Sequence, residues 1–365
     1  MSAGDKSGGR ATQRITHVAR RWVGLAVQPI GTLALALAIG VALVILIGQD
    51  PISAYRNLVF GSFDSVEHFG NLLSAATPIL IAGLGVVVSF RAGIFNVGGD
   101  GQIYVGAILA AAVGFTFVQV PGPLLIIAML VVGALAGAVW SGIAGVLKAY
   151  LEVDEVVATI MLNYIAMLLT QYLVTNPWRD PATSAPSSPP VAPQARWGLI
   201  LAPSTAHFGL VLALILVVAV WFLMFRTEWG IRLRAVGTNR SFAEAIGVNP
   251  RVVMVEAMLV AGALAGIAGA DEVLGVEHRF YQGFDANYGF LGLVVALLGR
   301  LNPLGMTIMA FLYAALLNGA AVMQINTNVP YPLVSILAGI VVVLLTSERS
   351  PIRWAGLVRA ARHLA

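Results

Sequence analysis

Apolar runs of about twenty residues, broken by short polar stretches, recur from one end of this 365-residue chain to the other. A helix needs about 20 mostly apolar residues to cross the ~30 Å hydrocarbon core of a bilayer. That ruler marks ten runs, at 27–48, 72–90, 97–118, 122–148, 156–174, 208–225, 253–274, 286–300, 303–320 and 331–346. The eighth is too short for a full crossing, which predicts a broken or tilted helix there. Between the runs, three polar stretches are long enough to be structures in their own right: 49–71, 175–207 and 226–252. The pattern predicts an all-α polytopic membrane protein whose transmembrane domain covers 27–347.

Composition agrees. The chain is 59% hydrophobic and 10% charged, with a mean hydropathy of +0.88, far too little charge to cover a soluble surface. An isoelectric point near 9.6 would suit a nucleic-acid binder, but the basic residues are scattered over short loops instead of gathered on one face, so no nucleic-acid partner is expected. There is no cysteine, which excludes disulfides and thiolate metal sites.

Charge sets the orientation. With both termini in the cytosol, 17 of the 21 Lys and Arg fall inside, and Arg56, Arg179, Arg196 and Arg279 are the four outside. The opposite orientation would break the positive-inside rule. The basic arm 1–26 precedes an apolar run too long for a signal peptide, and the Ala-x-Ala patterns near Ala34 to Ala38 lie inside that run, so a retained first helix is expected. A basic tail, 348–365, closes the chain.

The inside stretch 226–252 carries an arginine-bearing island. Ser241 and Glu244 read as a capping box that starts a short helix, and Gly247 followed by Asn249-Pro250 stops it. That helix would show Phe242, Ala245 and Ile246 on one side, a docking face for a soluble partner. On the outside, 175–207 holds seven prolines, which block helix; it is either an irregular exposed loop or a platform for an extracytoplasmic partner.

Several polar residues sit where lipid would not tolerate them. Asp100 lies among Gly98, Gly99 and Gly101; an Asp at a helix centre costs ~2.5–3.5 kcal/mol to insert. Either it faces protein or a water-lined cavity, or it sits at the cytosolic boundary and pairs with Arg91. Asn163 and Gln171, with Tyr164 and Tyr172, lie on one run, and their spacing of eight places the two amides on similar sides. They line a path or bond neighbouring helices; Asn318 and Gln324 pose the same choice. Gly262, Gly266 and Gly269 predict close helix packing. Two polar, Gly-rich stretches, 91–102 and 279–289, echo each other ahead of the third and eighth runs, on opposite membrane faces, as a candidate inverted repeat.

Catalytic patterns are absent from the sequence. There is no G-x-x-x-x-G-K-[ST] and no H-E-x-x-H, and His17, His68, His207, His278 and His363 are scattered. The chain is expected to be no enzyme, with no metal site and no cofactor of its own.

Seven motifs in order carry a resemblance over about residues 50–347: Ala76-Thr-Pro-Ile-Leu80, Phe90-Arg-Ala-Gly-Ile-Phe-Asn-Val-Gly98, Glu155-Val-Val-Ala-Thr-Ile-Met-Leu-Asn-Tyr-Ile165, Pro177-Trp-Arg-Asp-Pro181, Arg234-Ala-Val-Gly-Thr-Asn239, Val295-Ala-Leu-Leu-Gly-Arg-Leu-Asn-Pro-Leu-Gly305 and Val322-Met-Gln324. Together they resemble the permease subunits of ABC importers for nucleosides and simple sugars, in the nucleoside-type branch of the branched-chain amino acid/ribose permease family. Asp100 departs from the pattern, since relatives often carry glutamate in Gly-Ala-Glu-Gly-Gln; the charge is retained at a shorter reach.

The resemblance implies a type II ABC importer-like fold in the bacterial cytoplasmic (inner) membrane. It implies a second permease subunit, commonly a different chain, a cytosolic ABC ATPase that holds ATP and Mg, and an extracytoplasmic binding protein or lipoprotein that delivers the nucleoside. The island becomes the ATPase-coupling loop, with Arg232, Arg234, Gly237, Asn239, Ser241, Phe242, Glu244, Ala245 and Gly247 as its contact set. The substrate pathway becomes Asn96, Asp100, Gln102, Asn163, Tyr164, Gln171 and Asn318. The competing readings are a sibling permease for ribose, other sugars or branched-chain amino acids, and an ion-gradient-driven carrier.

Overall fold

The computed structural model describes residues 38–284, 287–327 and 329. The arm 1–26, the run 331–346 and the tail 348–365 lie outside them, and the run 27–48 is described only from residue 38. The chain divides into two compact units, Asn57–Val322 and the two flanking segments Met1–Arg56 and Met323–Ala365.

The described residues are helical, with isolated bridges but no strand. In chain order the helices are α1 (residues 38–46), α2 (Pro51–Phe60), α3 (Val66–Arg91), α4 (Gly99–Thr116), α5 (Gly122–Leu151), α6 (Glu155–Thr175), α7 (Gly209–Arg226), α8 (Glu228–Thr238), α9 (Arg240–Ala245), α10 (Pro250–Glu272), α11 (Tyr288–Leu298) and α12 (Pro303–Thr327). A π-helical turn, Val273–Glu277, extends α10. Six of these, α3, α5, α6, α7, α10 with its π turn, and α12, are long and apolar enough to cross a membrane. The protein is therefore multi-pass. The eighth apolar run is an 11-residue helix, α11.

Within Asn57–Val322, α3 is the axis. Ser65 caps its start by accepting from the His68 amide, Glu67 lies in its first turn and Arg91 in its last, each charge matched to the helix dipole. It is buried along almost its whole length, so it reads as apolar all round. By contrast α5, α6 and α7 bury only one stripe each. Glycine sets the spacing of α10 against α5: a Cβ on Gly262 would lie 2.2 Å from the Gly137 carbonyl oxygen, and one on Gly266 2.0 Å from that of Gly133. Gly269 meets α4 in the same way, 2.2 Å from the Ile103 oxygen. Backbones this close leave no room for any side chain.

The two ends of α3 fix where the polar stretches lie. At its Val66 end, Asn71 Oδ1 accepts from the Thr205 amide at 3.1 Å, placing the Pro-rich segment there. At its Arg91 end, Gly237 of α8 packs on the Arg91 carbonyl. Twenty-six residues of helix span about 39 Å, more than the ~30 Å bilayer core, so the arginine island and the Pro-rich segment stand at opposite ends of the molecule. The Pro-rich segment is docked as well. Its Ser188, Val191 and Trp197 amides donate to the carbonyls of Phe280, His278 and Leu274 at 2.7, 2.9 and 2.9 Å, and Asp180 faces Arg279 at 3.6 Å.

Candidate functional site

Two helices begin inside the molecule and meet there. A Cβ on Gly289, the second residue of α11, would lie 2.2 Å from the Asp100 nitrogen and 2.4 Å from the Gly99 carbonyl carbon. The depth of this junction follows from α3. Gly292 of α11 packs on Ala82 and Gly83, and the Arg91 Nε donates to the Leu301 carbonyl at 3.0 Å, so α11 runs alongside α3 in the same direction. Gly289 is then level with about Leu80, roughly 16 Å from the Arg91 end and roughly 21 Å from the Val66 end. The junction lies near mid-depth.

The junction lets the two Gly-rich stretches start at opposite ends of α3, one at Arg91 and one at Arg279 beside Asp180 of the Pro-rich segment, and still touch at their far ends. Each link turns into a helix only part-way across, and glycines let the two backbones come into contact. It also removes the boundary ion pair as the support of Asp100. Arg91 is held at Leu301, whereas Asp100 Oδ1 accepts from the Phe290 amide at 3.1 Å. Phe290 is the third residue of α11, whose own N-cap, Asn287, makes no side-chain cap bond. Asp100 caps α11 from another helix. It also lies in the first turn of α4, whose N-cap Gly98 has no side chain to offer. A carboxylate between two helix N-termini is stabilised by both partial positive charges.

α6 holds the link that leads to this junction. Thr159 and Asn163, one turn apart on one face, bond the backbone of 97–101: Thr159 Oγ1 accepts from the Val97 amide at 3.3 Å, Asn163 Oδ1 accepts from the Gly101 amide at 2.8 Å, and Asn163 Nδ2 donates to the Val97 carbonyl at 3.1 Å. One turn earlier, Glu155 is paired with Lys148 at 2.6 Å. Asn96 and Gln102 are 3% and 2% exposed and bond each other's amides at 3.0 and 3.3 Å. Asn318 lies elsewhere, donating Nδ2 to Ser62 Oγ and the His68 carbonyl at 3.2 and 2.9 Å. Tyr164 is exposed on the outer face of α6.

Gln171 does reach a cavity. A pocket of about 170 Å³ is lined by Tyr104, Met167, Thr170, Gln171, Phe280, Gln282 and Gly283. It adjoins the junction: Tyr104 is one turn beyond Asp100 on α4, and Phe280 to Gly283 belong to the link that leads into α11. The Tyr104 and Phe280 rings meet edge to face at 5.8 Å, and Phe280 stacks on Phe284 at 4.9 Å. Sequence reasoning found Gln171 by its spacing from Asn163 but missed Tyr104, Phe280 and Gln282. An aromatic in an apolar chain carries no mark of its own, although Gln282 lies in the polar, Gly-rich stretch 279–289 and could have drawn notice there.

At the Arg91 end, the short helix of the island forms, but its cap differs from the expected one. Asn239 Oδ1 accepts from the Phe242 amide at 3.0 Å and α9 starts at Arg240, so Ser241 lies within the first turn and the Ser241–Glu244 capping box does not form. Asn239 lies three residues before Phe242, the geometry that an Asn cap requires. Gly247, with φ of +83°, ends the helix as expected, and Asn249 caps α10 by accepting from the Arg251 amide at 3.0 Å. Ala243 is buried, while Phe242 and Ile246 are 58% and 55% exposed, with Ser241, Glu244 and Ala245 exposed beside them. The arginines part company. Arg232 is exposed. Arg234 donates to the Met224 carbonyl and covers the Phe225 ring at 5.3 Å. Arg240 reaches the Gly93 carbonyl at 3.4 Å.

At the other end of α10, beneath the Pro-rich segment, a second polar group is buried. Asp271 Oδ1 accepts from Trp197 Nε1 at 2.9 Å, and His207 Nδ1 accepts from the Gly209 amide at 3.1 Å, which leaves the ring proton on Nε2. Burial, with the nearby His278 second, pushes the His207 pKa down to about 4. Among the described residues no group of three His, Asp or Glu could hold a metal ion.

Comparison with known proteins fits this geometry. Residues 69–346 match the family described as branched-chain amino acid transport system / permease component. The chain is 35% identical to the guanosine ABC transporter permease protein NupP of Bacillus subtilis (strain 168), over 88% of this chain and 92% of that protein. It is 31% identical to a glucose ABC transporter permease of Haloferax volcanii, over 88% and 87%. It is 29% identical to the nucleoside ABC transporter permease protein NupB of Lactococcus lactis subsp. cremoris, over 86% and 88%. No solved structure matches.

Proposed function

The chain belongs to the branched-chain amino acid transport system permease family, and on that premise we propose that it is a permease subunit of an ATP-driven nucleoside importer. It works in the bacterial cytoplasmic membrane with both termini cytosolic, and its ten apolar runs build the transmembrane domain. A partner ATPase binds ATP and Mg, a second permease completes the pathway, and an extracytoplasmic binding protein or lipoprotein delivers substrate. The relatives named for guanosine and nucleosides support a nucleoside as substrate, with a sugar as the second reading on the strength of the glucose relative.

The observation that carries the reading is α9, a capped helix at the arginine-rich end with Phe242 and Ile246 open to a partner. Its connections support a mechanism of alternating access. Movement of α9 pulls Arg240 on the Gly93 carbonyl and Gly237 on the Arg91 carbonyl, and so the 92–98 link. That link ends at Asp100 and the α11 N-terminus, beside the pocket reached by Gln171. Coupling passes from island to link to junction to pocket through bonded neighbours. Arg232 is the arginine left to meet acidic groups of the ATPase, and Asn163 steadies the link.

The chain's lack of cysteine makes the test clean. Single cysteines at Phe242 or Ala245, crosslinked in membranes, are expected to capture a nucleotide-hydrolysing subunit, and labelled nucleoside uptake is expected to stop when ATP is depleted. Uptake that survives ATP depletion but collapses with the ion gradient would assign the chain to gradient-driven carriers instead.

A further inference from the structure

We propose that the pocket between α4, α6 and residues 280–283 is a subsite for the planar heteroaromatic base of the substrate, and that it sets which bases are carried. The inference rests on the nucleoside reading above and adds the residues that would read the base. About 170 Å³ is less than the ~300–1,000 Å³ of sites that enclose a whole drug-sized ligand, so the pocket takes one ring system and leaves the remainder of the molecule outside. Its walls suit such a ring. Tyr104 and Phe280, 6% and 0% exposed and packed on each other, form a rigid apolar floor that suits the flat face of a heteroaromatic ring laid against it.

The polar groups suit an edge. Gln171 and Gln282 both line the space, and each amide offers a donor and an acceptor in one plane, the pairing that recognises adjacent donor and acceptor atoms on a base. Thr170, which also lines the space, has its hydroxyl proton occupied, donating to the Ala166 carbonyl at 2.8 Å. The two glutamines are therefore the groups available for edge recognition. The position adds a third argument. The pocket lies about one to two helical turns from the meeting point of two helix N-termini, on its Pro-rich side, on the way to the place where discontinuous helices hold transported ligands. Gln171 and Gln282 are exposed residues, so their replacement leaves the packing intact.

The test uses the full chain with its partner subunits in host membranes, measuring inhibition of labelled guanosine uptake by unlabelled guanosine, adenosine, cytidine, 2′-deoxyguanosine and ribose. For Gln171→Leu and Gln282→Leu, the ratios of inhibition constants among guanosine, adenosine and cytidine are expected to change about threefold to tenfold, the scale of one lost hydrogen bond. The guanosine to 2′-deoxyguanosine ratio is expected to stay fixed. If all the bases weaken together with their order preserved, or if the 2′-deoxy ratio moves instead, the base subsite is refuted while nucleoside transport stands. If the unaltered transporter takes up no nucleoside, the parent reading fails first.

Discussion

Replacing Gly289 by alanine tests the junction directly. The new Cβ would lie 2.2 Å from the Asp100 nitrogen, 2.4 Å from the Gly99 carbonyl carbon and 2.5 Å from Asp100 Oδ1, whereas ordinary contact begins at 3.4 Å. The two nearest atoms are backbone, so neither can swing aside, and α11 must retreat from α4 by about 1.2 Å. That opens the 3.1 Å Asp100–Phe290 bond to about 4 Å, beyond hydrogen-bond range. Overpacking costs ~1–3 kcal/mol and a lost bond to a charged group ~1.5–3 kcal/mol. The terms overlap, and alanine returns up to ~1 kcal/mol of helix propensity, which leaves a net loss of about 2–4 kcal/mol. Gly142→Ala is the control: its Cβ meets only the Leu259 side chain, at 2.8 Å from the Cδ2 tip, which can rotate away. Thermal melting of the tagged chain in mild detergent, read as loss of monodisperse protein, is expected to fall by several degrees for Gly289→Ala and hardly at all for Gly142→Ala, with nucleoside uptake failing in step. Equal melting of Gly289→Ala and the unaltered chain, or an equal fall in the control, would refute the reasoning.

Asn163→Ala removes the bonds at 2.8 and 3.1 Å that hold Gly101 and Val97. It is expected to lower uptake about tenfold while the ATPase still co-purifies; unchanged uptake would take Asn163 out of the mechanism. His207 gives a pH signature. Its folded pKa of about 4 lies below the ordinary 6.5, so between those values the unfolded chain binds a proton that the folded chain refuses. Stability is complete above about pH 6.5 and declines as pH falls toward 4, by up to ~1.4 kcal/mol per unit. Melting of His207→Gln is expected to lose this slope; parallel curves for the two proteins would dismiss His207 as the cause.

Local features of the chain were legible in its sequence. The runs that became α3, α5, α6, α7 and α10 follow from length and apolarity. The glycines at 262, 266 and 269 proved to be sites of backbone contact, and the helix expected before Gly247 is present. The cap shifted from Ser241 to Asn239 because a capping-box pattern names a residue type and spacing, while the backbone chooses which polar side chain stands outside the first turn. Long-range features were not legible. Nothing at Asp100 announces that its acceptor meets an amide 190 residues away, and local chemistry offered Arg91 as the natural partner. Asn96 and Gln102 look like polar groups in need of a role, and only the fold shows that they satisfy each other. The pocket mixes three segments distant in sequence, so one amide of its pair was found by periodicity and the other needed the structure.

The brevity of α11 bears on how the chain is made. Eleven residues rise about 16 Å, half of what a bilayer demands. Such a segment leaving the ribosome has too little apolar length to partition into lipid alone. Its footing is Gly83 of α3 and its cap is Asp100 of α4, both synthesised almost two hundred residues earlier. Biogenesis is thus ordered from the N-terminal half onward: the early helices form a cradle, and α11 settles into it as a late guest that could not insert first.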